Sequence, residues 1–343
     1  MIRIQNIYYM LAYAFQVLRT QGYRDVATEE FDNVAELCAA LLTCGIRSQL
    51  KRGLGREYVN QTEALSSLCG KIEVSESVKT RSMLRHQMMC TYDEFSVDTR
   101  LNRIIKATVM LLIRSDIAKS RKKELRRLMG YFADVGTVDL ATVDWNVRYD
   151  RNNQNYRMLI AVCWLVVKGL LQTQADGTTR LMDVLDEQRM SRLYEKFILE
   201  YYRKEHPELK VSASFIAWAL DDGISDLLPI MKSDIMLSQG NRVLIIDAKY
   251  YARMTQQYFD TKTIHSNNLY QIFTYVKNKE AELAGIDHEV AGLVLYAQTD
   301  EDVQPNVTYH MSGNKIGVRT LDLNCDFSDV MAQLDAIVEE YFG

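Results

Sequence analysis

A chain of 343 residues with 48% hydrophobic residues and only three prolines is long enough for two domains, each with its own core. The net charge of −4 and an isoelectric point near 5.8 argue against a general nucleic-acid binder, whose backbone contacts show as a basic excess. That average conceals an asymmetry. Residues 1–160 carry 24 Lys and Arg against 18 Asp and Glu, net +6, whereas 161–343 carry 17 against 27, net −10. Either the two parts meet different partners or the acidic part holds cations.

Six cysteines without a CxxC spacing and five histidines without an HxxxH pair exclude a conventional zinc site. Scattered thiols suit a reducing cytoplasm. The apolar "IYYMLAYAF" at 7–15 lacks a basic leader and a small-residue cleavage site. The longest apolar run, "MLIAVCWLVV" at 158–167, is too short for a bilayer and is followed by Lys168, so it reads as a core helix.

In chain order, Ile7, Leu11, Phe15 and Leu18 predict a helix over 5–20, and Val34, Leu37, Cys38, Leu41 and Leu42 a second over 32–50. Between 53 and 97 the segments are short, rich in β-formers and broken by Gly or polar turns, which predicts a small β-rich insert. Residues 98–130 contain no breaker. With Asp98 as N-cap and Leu101, Ile104, Ile105, Val109 and Leu112 on one face, they read as one or two long helices. The segment 132–156 has weak periodicity and a polar tip, "RYDRNNQN", and reads as a protruding loop or hairpin before a helix over 157–172. "QTQADGTTR" at 172–180 is the linker candidate, dividing a domain 1–175 from a domain 181–343. Beyond it come a helix at 186–205, strands at 209–219, 227–238 and 242–251, a helix at 266–284, strands at 290–298 and 315–323, and a helix at 326–342. Such alternation predicts an α/β domain with a central sheet.

The chemistry gathers at "LIIDAKYY", 244–251, where an apolar strand ends in Asp247 and Lys249. "QGN" at 239–241 makes 230–250 a hairpin, so Asp247 and Lys249 share a face, Ala248 points away, and Asp234 on the facing strand approaches Asp247. Two carboxylates and the Ala248 carbonyl form an oxygen cage suited to Mg2+, which activates water and neutralises phosphate charge. Lys249 orients the attacking hydroxide or stabilises the transition state. Glu195 in "YEKF" offers another carboxylate. Gln271 and Tyr275, spaced i, i+4 in "HSNNLYQIFTY", share a helix face from which Gln271 reaches a phosphate or a metal-bound water.

The order Glu, Asp, Asp-x-Lys, Gln-x-x-x-Tyr resembles the PD-(D/E)xK nuclease superfamily. More closely, the chain resembles the McrC family, the nuclease subunit of McrBC-type modification-dependent restriction systems. The resemblance rests on "NIYYMLAYAF" at 6–15, "RGLGREY" at 52–58, "CTYDEFSVDTRLNRIIKAT" at 90–108, "LLPIMKSDIMLS" at 227–238, "LIIDAKYY" and "HSNNLYQIFTY". It implies Asp234, Asp247 and Lys249 as the catalytic set, with Ser233 where the superfamily name has proline. It also implies a two-domain fold: an N-terminal helical domain with a β-rich insert and a protruding finger, then a restriction-endonuclease-like α/β domain with a mixed sheet. The implied partner is an McrB-type AAA+ GTPase ring, stimulated by the finger, with Arg151 as the contacting cation by position. The chain has no Walker motif, so GTP belongs to that partner. Lys119, Arg121, Lys122, Lys123, Arg126 and Arg127 form a basic run facing either DNA phosphates or an acidic partner surface. The implied activity is Mg2+-dependent cleavage of double-stranded DNA carrying modified bases, with Mn2+ as the substitute metal. The alternative is a non-catalytic adaptor that only binds and activates the ring.

Overall fold

The computed structural model describes residues 2–17, 23, 25–26, 28–29, 31–176, 187–250, 255–258, 261–299 and 304–343. The chain divides into two compact units, 33–171 and a second formed by 1–32 together with 172–343. The first helix, α1 (Ile4–Ala14), therefore departs from the expected 1–175 domain. Its partners explain why. Tyr9 stacks on Phe327 with ring centroids 3.9 Å apart, Tyr13 packs against Phe197 and Tyr201, and Asn6 Nδ2 donates to the carbonyls of Leu323 and Cys325. Helical periodicity announced a buried face but not which core would bury it.

The unit 33–171 begins with α2 (Val34–Arg52), N-capped by Asn33, whose side chain accepts from the Glu36 N–H, and closed by Gly53 at φ 89°. The β-rich insert is present as β1 (Glu57–Leu65), β2 (Lys71–Ile72), a short helix α3 (Val74–Lys79) and β3 (Met88–Ser96), paired antiparallel in the order β1-β3-β2. The breaker-free stretch forms two helices, α4 (Arg100–Arg114) and α5 (Lys119–Met129). The N-cap of α4 is Thr99 rather than Asp98. Asp98 instead accepts from Arg103 at 2.7 and 2.5 Å and from the Gly136 N–H at 2.6 Å, and the Arg103 guanidinium holds its carboxyl below the ordinary carboxylate range. Residues 135–155 lack strand pairing and form an irregular loop ahead of α6 (Tyr156–Asp176), so the hairpin alternative does not occur. At the centre, buried Asn102 donates to the carbonyls of Gly55 and Val97 and accepts from Tyr156 Oη at 2.8 Å. One amide thus ties both ends of the insert to α4 and α6.

The second unit continues with α7 (Glu187–Glu205), then β4 (Lys210–Ser212), β5 (Phe215–Ile216), β6 (Met231–Lys232), β7 (Ile235–Gln239) and β8 (Arg242–Lys249). A two-stranded ribbon, β9 (Thr255–Tyr258) and β10 (Thr261–Ile264), precedes α8 (Ser266–Glu282), β11 (Glu289–Ala297), β12 (Val307–Met311), β13 (Asn314–Leu321) and α9 (Phe327–Phe342). The main sheet has six strands in the order β12-β13-β11-β8-β7-β4. β11 runs parallel to β8 and β13, while the β7–β8, β4–β7 and β12–β13 pairs are antiparallel, so the expected mixed central sheet is present. Much of the linker candidate, 177–180 and the following 181–186, lies outside the described residues. Gly240, at φ 59°, closes the β7–β8 hairpin as the "QGN" turn requires.

The central strands β8 and β11 are covered on one face by α8. Val243 and Ile245 join Val294, Tyr296, Ile272 and Val276 in one buried cluster, while Leu244, Ile246 and Ala248 point the other way. Gly292 permits this approach, since a Cβ there would lie 2.7 Å from Ile272 Cγ1. At the end of α7, His206 has Nδ1 2.8 Å from Glu208 Oε1 and Nε2 2.8 Å from Asp335 Oδ1, which ties α7 to α9. Burial opposes the imidazolium, but the two carboxylates outweigh it and raise the pKa. That stabilisation is complete below the unfolded-state value and is lost as pH rises through the raised folded-state value. Replacing His206 by Gln should cost about 1–2 kcal/mol at pH 6, with the deficit shrinking toward pH 9. Thermal unfolding of the two proteins across that range measures both effects.

Candidate functional site

The site is assembled at the exit of β8. Register pairs Ile235 with Ile246, so Asp234, one residue before β7, falls opposite Asp247. Alternation puts both carboxylates on the α8 side, on the same face as Met236 and Ile245. Asp247 is 1% exposed. Its Oδ1 lies 2.8 Å from Lys249 Nζ, and among the described residues neither of its oxygens has a hydrogen-bond partner in good geometry. Asp234 Oδ2 accepts from the Ala248 N–H at 3.0 Å. Because the N–H and C=O of one strand residue point to the same edge, the Ala248 carbonyl also faces Asp234.

Electrostatics follow from this packing. Burial pushes the Asp247 carboxyl up to about 7; Lys249 opposes the shift and the Asp234 charge adds to it. Burial raises Asp234 as well, against the pull of Lys249 and the Ala248 N–H. Glu195 on α7, held by Ser191 Oγ at 3.0 Å, is raised by burial and by the charge of Asp234. It therefore senses Asp234. No three acidic, His or Cys side chains converge on one point among the described residues. Two opposed carboxylates, Asp247 buried without a hydrogen-bond partner among the described residues and Asp234 half-buried, with a carbonyl beside them are a donor set that fits a hard divalent cation.

Lys249 is placed from the helix side. Its Nζ donates to Gln271 Oε1 at 3.3 Å, and Gln271 Nε2 donates to Tyr275 Oη at 3.0 Å. The i, i+4 spacing thus puts Gln271 and Tyr275 in a chain that ends on the lysine. A second polar contact was not legible in the sequence. Asn268, buried one turn earlier, donates to Tyr296 Oη at 2.8 Å, and Tyr296 is the register partner of Lys249 on β11. The only sequence signal for it is the polar "SNN" opening α8, which reads equally as a cap.

In the other unit, Arg151 is exposed in a turn closed by Asp150 Oδ1, which accepts from the Asn152 and Asn153 N–H groups. The basic run lies on α5, with Lys119, Lys123, Arg126 and Arg127 exposed and Lys122 half-buried. Arg121 departs from it: its Nε donates to Glu36 Oε2 at 3.1 Å, and Glu36 also accepts from the Ala118 N–H at the start of α5. That side chain is committed to packing α5 on α2.

The second unit is thus a mixed α+β fold with an acidic pair and a lysine at the exit of a central strand. Residues 4–287 match the family described as McrBC 5-methylcytosine restriction system component, and the chain belongs to that family. It is 29% identical over 346 residues to the Type IV methyl-directed restriction enzyme EcoKMcrBC of Escherichia coli K12, covering 99% of this chain and 98% of that one. It is also similar in fold to a refined half-complex from a tetradecameric assembly of Thermococcus gammatolerans McrB AAA+ hexamers with bound McrC. There the TM-score is 0.50 at 20% identity, over 97% of this chain and 76% of that one. Among the described residues no helix is long and apolar enough to cross a membrane.

The raised carboxyl of Asp247 has a consequence for stability. Between the unfolded-state pKa and about 7 the unfolded chain releases the proton more readily than the folded one, so the wild-type side chain lowers stability progressively across that interval. Replacing Asp247 by Asn should therefore make the variant more stable relative to wild type as pH rises from about 4 to 7. Melting temperatures of the two proteins at matched pH check this, and a difference independent of pH refutes it.

Proposed function

We propose that this chain is a Mg2+-dependent DNA endonuclease subunit of an McrBC-like restriction system, in a PD-(D/E)xK fold, working with an McrB-type AAA+ GTPase ring. The observation that carries the reading is the opposed pair Asp234 and Asp247 with Lys249 Nζ 2.8 Å from Asp247 Oδ1. Asp234, Asp247 and the Ala248 carbonyl would hold Mg2+, or Mn2+ in its place, which when bound supplies a lowered water pKa and neutralises phosphate charge. Gln271 fixes the Lys249 ammonium beside the carboxylate pair, where its positive charge stabilises charge developing on the scissile phosphate. Tyr275 orients the Gln271 amide in turn, and Glu195 sets the local negative potential. The curated relative is named as methyl-directed, which supports modified double-stranded DNA as substrate.

The unit 33–171 is then the ring-facing part. Arg151, exposed and set in a hydrogen-bonded turn, is the cation offered to the nucleotide of the ring. GTP is bound by the partner and not by this chain.

With ring, GTP, Mg2+ and methylated DNA, Asp247→Ala and Lys249→Ala should each lower cleavage by at least about a hundredfold, while stimulated GTP hydrolysis stays near wild type. Cleavage that survives Asp247→Ala sinks the nuclease assignment. Arg151→Ala should do the reverse, lowering stimulated GTP hydrolysis at least about tenfold, and an unchanged rate excludes that residue.

A further inference from the structure

Asp234 lies outside the main ladder, so the backbone pairing of β7 does not by itself fix it. The residue before it is Ser233, 1% exposed, at the position where the superfamily motif has proline. Its N–H donates to the Ser214 carbonyl at 3.0 Å. Its Oγ donates to the same carbonyl at 3.2 Å and accepts from the Ser214 N–H at 3.2 Å. Ser214 Oγ is in turn 2.6 Å from Ser212 Oγ, beside the end of β4. These contacts extend the short β5–β6 ladder, in which Phe215 pairs with Lys232, by one more rung that ends directly before Asp234. A proline at 233 has no N–H to give this rung. An alanine keeps the N–H bond and loses both bonds of the hydroxyl.

We propose that Ser233 is the positioning residue of the carboxylate pair. Its double clamp on Ser214 holds Asp234 where Oδ2 meets the Ala248 N–H and the carboxylate stays opposite Asp247. The two aspartates repel, and nothing in the β7 ladder keeps Asp234 from turning toward solvent; the buried serine supplies that restraint. This inference rests on reading the pair as a divalent-cation site.

The test is Mn2+ binding to the full-length chain by calorimetry, without DNA or ring, for wild type, Ser233→Ala, Ser233→Pro and Asp247→Asn. Ser77→Ala serves as the control, since Ser77 is buried in the other unit and its Oγ bonds the Glu73 carbonyl and the Met89 N–H. Ser233→Ala should weaken Mn2+ binding about tenfold and Ser233→Pro by more, as loss of an outer-shell partner does at metal sites. Ser77→Ala should lower the melting temperature and leave Mn2+ affinity unchanged. Wild-type affinity in Ser233→Ala, with binding lost in Asp247→Asn, overturns the positioning role and leaves the cation site standing. Equal weakening in Ser77→Ala and Ser233→Ala overturns it too. No difference between wild type and Asp247→Asn, including no binding by either, overturns the cation reading itself.

Discussion

The second unit depends on one unfavourable contact, two aspartates placed opposite each other across the β7–β8 hairpin. At an effective dielectric near 20, unit charges a few ångströms apart interact by about 4 kcal/mol, whether they attract or repel. Burial is what holds the Asp247 carboxyl raised; the Asp234 charge adds to the shift and Lys249 opposes it, while the Ala248 N–H steadies Asp234. Such a contact persists only when the surrounding fold over-determines it. The over-determination is visible in the strands. Leu244, Ile245 and Ile246 are fully buried between neighbours on both edges, so β8 cannot slip or twist to separate the charges.

Much of this arrangement was legible in the sequence because it follows from period and turn chemistry. "QGN" announced the hairpin, alternation put Asp247 and Lys249 on one face, and i, i+4 spacing put Gln271 and Tyr275 together. What escaped was of a different kind. Asn102, Asn268 and Ser233 are buried polar residues whose partners are distant carbonyls and hydroxyls, and no periodic pattern marks such a contact. β12 was missed because the edge strand "VTYHM" is only partly covered and carries a weak apolar alternation. Thr99 and Asp98 compete for the same cap by propensity alone; the nearby Arg103 decides between them by claiming the aspartate.

The basic run of α5 illustrates the limit of reading charge as function. Six cations in nine residues look alike in sequence, yet Arg121 is used internally by Glu36, while Arg126 and Arg127 are exposed. A carboxylate 85 positions away determines which members of the run are available. Net charge assigned to a segment is therefore an upper limit on what it can present to a partner.

Two kinds of polar residue surround the candidate centre. Asp234 and Asp247 face the reacting volume: neither oxygen of Asp247 has a hydrogen-bond partner among the described residues, and burial raises both carboxyls, a cost that apolar packing elsewhere must offset. Those behind them are bonded with little left over: Gln271 spans Lys249 and Tyr275, and Ser233 engages Ser214 through both its N–H and its hydroxyl. Incomplete bonding in front and complete bonding behind are complementary. The first leaves oxygens free for a cation, and the second keeps them from rearranging to satisfy one another. A carboxylate pair without such backing would relieve its repulsion by rotating apart, and the site would lose the charge density that makes it useful.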